Sequence, residues 1–159
     1  MNIRAAKVGD AKEISALITD YAEQDKMLFR SMADIYENIR SFYTAESEGR
    51  IVGCCCLHII WEDLAEIKSL AVDKEYHGQG AGRALVEYTV QQAKELGIRK
   101  VFALTLEPEF FKKAGFETIA MERLPMKVWS DCARCPKQNN CDEIAVIKDI
   151  SEEGTSLFP

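Results

Sequence analysis

LAVDKEYHGQGAGRAL, residues 70–85, decides the fold. The apolar run that reaches Val72 reads as the end of a β-strand, and the residues from about Gly80 onward read as a helix. Gly78, Gly80 and Gly82 stand at the junction. The first N–H groups of a helix have no partner within it and point outward with the positive end of the dipole, so the junction suits an anion. Glycines remove the Cβ atoms that would hold a phosphate away from those amides, and they permit positive φ in the loop. A plain flexible turn ahead of an ordinary helix is the other reading of the same spacing. A Walker phosphate loop is excluded because no Gly-Lys-Ser/Thr follows, and Gly-x-Gly-x-Gly does not match the dinucleotide fingerprint Gly-x-Gly-x-x-Gly.

Working outward, AEIKSLAVD (65–73) is the strand that feeds this loop, with Ile67, Ser69 and Ala71 on one face and Lys68, Leu70 and Val72 on the other. The helix that follows runs to about Leu96 and stops at Gly97. KVFALTL (100–106) is an uninterrupted β-type run, consistent with burial on both faces. EPEFFKKAGF makes a short helix ended by Gly115, and FETIAMERL and EIAVIKDI read as closing strands. Before the central unit, IRAAKV is a short first strand. Asp10 is the N-cap of a helix carrying Ile14, Leu17, Ile18 and Tyr21. A second helix is expected from about Met32 to Phe42, and TAESEGRIVGCCCLHII gives two strands around the turn signal Glu48-Gly49. The order is mixed α and β in one domain over residues 1–150, with a frayed tail at 151–159.

A chain of 159 residues can bury a substantial core, and its 47% apolar share is ordinary for a globular protein. No apolar run approaches the length of a membrane span, and charges occupy the start MNIRAAKVGDAKE where a signal peptide needs an apolar stretch. A cytoplasmic protein is expected. The net charge of −6 argues against nucleic acid or an anionic membrane as partner, so an anionic ligand must be held by local groups. The expected partner is a small molecule, and a homodimer is compatible with the chain.

LAVDKEYHGQGAGRAL resembles the signature of the GNAT (GCN5-related) N-acetyltransferases, in which a strand ending hydrophobic-Ala-Val leads into Arg/Gln-x-x-Gly-x-Gly/Ala. His77 stands at the first Arg/Gln position, a departure, while Gly80 and Gly82 match. FFKKAGF carries the family's second mark, a short helix ending x-x-Gly-Phe. The resemblance covers nearly the whole chain. It implies an α/β (α+β) fold with a central mixed, mostly antiparallel twisted sheet of about seven strands, splayed between the fourth and fifth and flanked by about four helices. It further implies acetyl-CoA as cosubstrate, with the pyrophosphate on the amides of His77, Gly78, Gln79, Gly80, Ala81, Gly82 and Arg83. The pantetheine is then expected along Leu70, Ala71 and Val72.

Within the family, three stretches are most similar to the acetyltransferase domain of the N-acetylglutamate synthases, which open arginine biosynthesis. EQDKMLFRS places Arg30 and Ser31 where those enzymes hold the substrate carboxylate; AEIKSLAVDKEYHGQG includes the acidic Glu66; FALTLEPEFFKKAGF puts Phe111 where many relatives carry a tyrosine. In tyrosine-bearing relatives the phenol protonates the departing thiolate, so here water fills that role or it is not needed. Where the closing strand of the family often opens with a basic and hydroxyl pair, this chain has Asp142-Glu143.

The chemistry asked of such a site can be stated from the residues. An amino-acid amine is mostly protonated near neutral pH, so a base must take its proton before it attacks a thioester. Glu66 is the candidate, directly or through water; a solvated strand carboxylate is the other reading, with Glu62 and Asp63 close by to substitute. A strand N–H near Leu70 would serve the oxyanion of the tetrahedral intermediate. Arg30 can grip one acceptor carboxylate bidentately, and Lys68 or Lys127 is the candidate for a second. Another small amine, a protein amine, or a non-catalytic acyl-CoA sensor are the rival functions.

The cysteines divide into two groups. Cys132, Cys135 and Cys141 lie between the closing strands and are candidate zinc ligands, with Asp142, His58 or a partner chain as the fourth; a disulfide and free thiols are the alternatives. Cys54, Cys55 and Cys56 alternate along a strand and read as small apolar core residues.

Overall fold

The computed structural model describes residues 1–124 and 143–151. Among them, seven strands form one mixed sheet in the order β1-β2-β3-β4-β5-β7-β6. In chain order these are β1 (Asn2–Ala5), β2 (Phe42–Ser47), β3 (Arg50–Trp61), β4 (Leu64–Val72), β5 (Lys100–Thr105), β6 (Glu117–Ile119) and β7 (Ile144–Asp149). The helices are α1 (Ala11–Glu23), α2 (Met32–Glu37), α3 (Ala81–Glu95) and α4 (Pro108–Lys113). β1–β2, β2–β3, β5–β7 and β6–β7 are antiparallel, whereas β4 and β5 are parallel through Leu64↔Lys100, Ala65↔Val101 and Glu66↔Phe102. The parallel pair follows from chemistry along the chain: a strand, the glycine loop, a long helix and a second strand make a crossover unit.

The chain divides into two compact units, each discontinuous because β3 and β4 run through both. The first comprises Met1–His58 and Ile67–Gln91. Its core is built on Ile14, Leu17 and Ile18 of α1, Ile35 of α2, Phe42, Ile51, Cys54, Cys56 and Ala71. The i, i+3, i+4 spacing on α1 therefore buries the stripe that its sequence announces. The second comprises Ile59–Glu66 and the chain from Gln92, with Ile60, Leu64, Phe102, Leu124 and Ala145 at its centre.

Several local expectations are corrected. The helix expected from Met32 to Phe42 ends at Glu37; a 3-10 turn covers Ile39–Ser41, and Phe42 opens β2. The Asn38 amide bonds the Asp34 carbonyl at 2.9 Å and closes the helix, while aromatic Phe42 and Tyr43 with β-branched Thr44 favour the extended chain. Val8 belongs to a 3-10 turn rather than to the first strand. Asp10 does precede α1, but its side chain caps nothing there: it accepts the Lys7 N–H at 2.8 Å and a forked pair of bonds from Arg4 at 2.8 and 3.1 Å. Of the run FETIAMERL only Glu117–Ile119 is strand, followed by a 3-10 turn at Met121–Arg123. The alternation read along 65–73 breaks at Ser69, whose φ of +55° is left-handed, so that Lys68, Ser69 and Leu70 are all half-buried.

Candidate functional site

The loop after β4 takes the form its glycines allow. Asp73 accepts the Glu75 N–H at 2.9 Å and starts a 3-10 turn over Lys74–Tyr76. Gly78 and Gly80 then adopt φ of +78° and +85°. A Cβ at either would meet nothing within 4 Å, so glycine is required by the direction of the backbone and not by crowding. The first bond of α3 runs from the Ala84 N–H to Gly80 O at 3.0 Å, so the amides of Ala81, Gly82 and Arg83 precede the intrahelical ladder. Gly82 lies inside the first turn of α3 and not in the loop. The Arg83 guanidinium pairs with Glu87 one turn along at 2.9 Å, and the Gln79 side chain donates to Glu75 O.

The end of β4 is held by two side chains. Asp73 donates its N–H to Val52 O on β3, so the polar groups of Val72, one residue back, face the other edge of the strand. There the Tyr21 hydroxyl accepts the Val72 N–H at 3.2 Å and lies 3.1 Å from Val72 O. His77 Nε2 is 2.9 Å from the same carbonyl and 3.1 Å from the Tyr21 oxygen. A carbonyl can only accept, so Nε2 carries its hydrogen toward Val72. Burial pushes the Tyr21 phenol above its ordinary value, which keeps it protonated.

A second cluster gathers around Arg30, whose side chain is only 13% exposed. Nε and Nη2 donate to the two Asp34 carboxylate oxygens at 2.7 and 3.2 Å, and Nη1 donates to Ser69 Oγ at 3.2 Å. The guanidinium sits 5.0 Å over the Phe42 ring. Burial works against its charge, but the Asp34 bond and neighbouring Cys56 prevail and its pKa is raised. Asp34 is correspondingly held below the usual carboxylate value by the Arg30 bond, with Lys68 adding a smaller pull. Ser31 is the N-cap of α2 and accepts the Asp34 N–H at 3.1 Å. Arg30, Ser31 and Lys68 are thus brought together around Asp34, which sequence reading passed over. The i, i+4 spacing from Arg30 and the Ser-x-x-Asp cap were the available signals. Ser69 and Tyr21 were missed as polar partners because each was read only as a face of a strand or helix.

In the second unit Glu66 is a buried carboxylate on β4, 6% exposed, in register with Phe102. Phe111 is a core residue of α4, edge-on to Phe110 and Phe116 with ring centroids 5.2 Å apart in each pair. Leu70 is half-buried, and Ala71 and Val72 are buried. Lys127, Cys132, Cys135 and Cys141 lie outside the described residues, as does Asp142. Among the described residues no three His, Cys, Asp or Glu side chains gather as metal ligands. Cys54, Cys55 and Cys56 are buried and unpaired by disulfide, as their alternation indicates; burial pushes the Cys55 thiol up to about 12 and raises the other two. No helix among the described residues is long and apolar enough to cross a membrane.

A mixed sheet with a parallel β4–β5 pair, and a strand that hands over through positive-φ glycines to the amino end of a long helix, set free backbone amides beside the end of β4. The chain belongs to the acetyltransferase (GNAT) family, whose profile matches residues 10–116. It is 43% identical over 148 residues to an uncharacterized N-acetyltransferase of Chlorobaculum tepidum, covering 93% of this chain and 96% of that one. It is 36% identical over 135 residues to the amino-acid acetyltransferase of Mycobacterium tuberculosis, covering 83% and 77%. The N-acetylglutamate synthase of Neisseria gonorrhoeae, solved with coenzyme A and N-acetyl-glutamate, superposes with a TM-score of 0.86 at 29% identity, over 95% of this chain and 35% of that one.

Proposed function

We propose that this acetyltransferase moves the acetyl group of acetyl-CoA to the α-amine of an amino acid, with L-glutamate as acceptor, the step that opens arginine biosynthesis. The observation that carries the amino-acid half is the Arg30 guanidinium, nearly buried yet oriented by Asp34 and Ser69 instead of lying loose on the surface. A fixed, desolvated guanidinium is a carboxylate receptor. The acetyl-CoA half rests on the loop at Gly78 and Gly80 and the amides that open α3, where the pyrophosphate is taken. The likeness to the N-acetylglutamate synthase bound to coenzyme A supports both halves.

In this reading Glu66, buried on β4, accepts the amine proton, directly or through water. The amine adds to the thioester carbon, forming the N–C bond and a tetrahedral oxyanion; the nitrogen gives up its remaining extra proton to water, the C=O re-forms as the C–S bond breaks, and coenzyme A leaves as the thiolate. The Leu70 N–H, next to the left-handed Ser69, is the donor for the oxyanion. Phe111 has no proton to give, so the thiolate departs without help from that position. Ser31 and Lys68 complete the acceptor side, Ser31 through the cap of α2 that holds Asp34.

One observation favours a second acceptor class. Asp34 neutralises Arg30, which lowers the positive charge available to an acceptor with two carboxylates and suits an amino acid with a neutral side chain. The deciding experiment is thiol release from acetyl-CoA against the twenty amino acids and a few polyamines. Preference for glutamate supports the first reading and preference for a neutral amino acid the second. Turnover with polyamines alone, or none with any amine, overturns both.

A further inference from the structure

Ser69 combines two features that its sequence does not announce. Its φ of +55° puts a residue that is neither glycine nor asparagine in the left-handed region in the middle of β4. Its hydroxyl accepts from Arg30 Nη1 at 3.2 Å, and its carbonyl accepts from Cys54 Sγ at 3.4 Å, which ties the same residue to the neighbouring strand. Strained backbone persists only where the surroundings over-determine it. Here they do, because the Ser69 carbonyl is tied to the buried Cys54 of β3 while its hydroxyl is tied to a guanidinium that is 13% exposed.

Arg30 is consequently held by Asp34 along its Nε–Nη2 edge, by Ser69 at Nη1 and by the Phe42 ring against its plane, with the Cys56 thiol beside it. Asp34 alone would leave the plane free to swing, since Asp34 lies on α2 and Arg30 stands just before its N-cap, so the pair can move together with α2. Ser69 belongs to a different element, and it is the contact that registers the guanidinium to β4. Of the five N–H donors of an arginine, Asp34 and Ser69 take three, so their arrangement decides which donors meet an incoming carboxylate and in what direction.

We infer that Ser69 is a positioning residue for recognition of the acceptor carboxylate, acting through Arg30, with its left-handed backbone presenting the hydroxyl that fixes the guanidinium. The inference rests on the reading of Arg30 as the acceptor's cation. Ser69→Gly is the informative variant, since glycine accepts the positive φ without strain while the hydroxyl is lost together with its Cβ. It raises the KM for the amino-acid acceptor by about three- to tenfold, the value of one hydrogen bond to a charged group that acts indirectly. The KM for acetyl-CoA stays put. Ser69→Ala raises the acceptor KM similarly but, keeping the Cβ in the left-handed region, lacks the relief of strain that glycine gives.

Arg30→Ala and the double variant Arg30→Ala/Ser69→Gly complete the test. If Ser69 works through Arg30, Ser69→Gly adds nothing once Arg30 is gone. If Arg30→Ala raises the acceptor KM while Ser69→Gly leaves it unchanged, the positioning role is overturned and the reading of Arg30 stands. Effects that add in full overturn it too, because Ser69 then acts without Arg30. If Arg30→Ala itself leaves the acceptor KM unchanged, the reading of Arg30 fails and the role of Ser69 falls with it. A lowered melting temperature in Ser69→Gly with unaltered kinetics assigns the serine to the fold alone.

Discussion

Tyr21 clasps Val72 at both of its backbone polar groups: the hydroxyl accepts the N–H at 3.2 Å and lies 3.1 Å from the carbonyl oxygen. Val72 is the residue from which β4 passes into the glycine loop, and a pantetheine running along Leu70, Ala71 and Val72, as the family resemblance implies, would meet its amide. For that to happen the phenol must yield. Tyr21→Phe therefore uncovers a buried amide in the free protein and removes a competitor from the bound one. The variant is expected to lose about 1 kcal/mol of stability when free and to bind acetyl-CoA up to about fivefold more tightly. Thermal melts with and without coenzyme A, together with calorimetric titration, give both numbers. Weaker binding by Tyr21→Phe would mean that the hydroxyl stays and contacts the cosubstrate.

Gly80→Ala separates the loop's conformation from its space. No atom lies within 4 Å of the added methyl, so the cost comes from φ of +85°, about 1 kcal/mol or more of backbone strain. If the amides beyond the loop take the pyrophosphate, that strain and the methyl group together raise the KM for acetyl-CoA by about tenfold or more, with little change in the acceptor KM. A lower melting temperature with an unchanged acetyl-CoA KM would leave the loop as a structural turn.

How far this could be read beforehand depends on the range of the interaction. The α1 stripe, the glycine loop, the Gly97 stop of α3 and the β-type run of β5 are local or periodic signals, and each stands where the sequence puts it. The end of α2 was misjudged because Ile35, Ile39 and Phe42 all pack toward the same core although they do so from a helix, a 3-10 turn and a strand. Helical spacing and a shared core gave the same pattern. Arg30 was legible as a candidate cation, but its grip by Ser69 spans 39 residues and depends on a left-handed serine, for which propensity gives no cue. Tyr21 was legible as apolar surface, and its hydroxyl contact 51 residues away was not.

Glu66→Gln tests the base. Glutamine preserves the size and buried position of the side chain but cannot take the amine proton. Turnover is expected to fall by about 10²- to 10⁴-fold while acetyl-CoA binding is retained. A fall of less than about threefold at saturating acceptor would pass the role to Glu62, Asp63 or bulk water.

The three strand cysteines are expected to be inert in the folded protein. With Cys55 pushed up to about 12, about one thiol in 10⁵ is thiolate at neutral pH, and Cys54 and Cys56 are shifted the same way by burial. Native alkylation with iodoacetamide followed by peptide mass spectrometry should find all three unmodified, whereas denatured protein is labelled at each. Rapid native labelling of Cys55 would show that β3 opens locally on the timescale of the reaction.

Acid stability tests the two carboxylates bound by arginine. Asp10 is held below its ordinary value chiefly by the Arg4 bond, and Asp34 by the Arg30 bond. A depressed folded pKa means that the unfolded chain binds protons first as pH falls. Both contributions are therefore complete above the unfolded value of about 3.9 and are lost as pH drops through the lower folded values. Denaturant melts at falling pH should show stability declining from about pH 5 downward. Asp10→Asn leaves a half-buried Arg4 with weaker partners, and it should cost about 1 kcal/mol at neutral pH and flatten the acid slope. Asp34, whose side chain is 40% exposed, should give a smaller slope, and Asp34→Asn should be read in the acceptor KM before it is read in stability. An acid slope that neither substitution changes would place the titrating groups elsewhere in the chain.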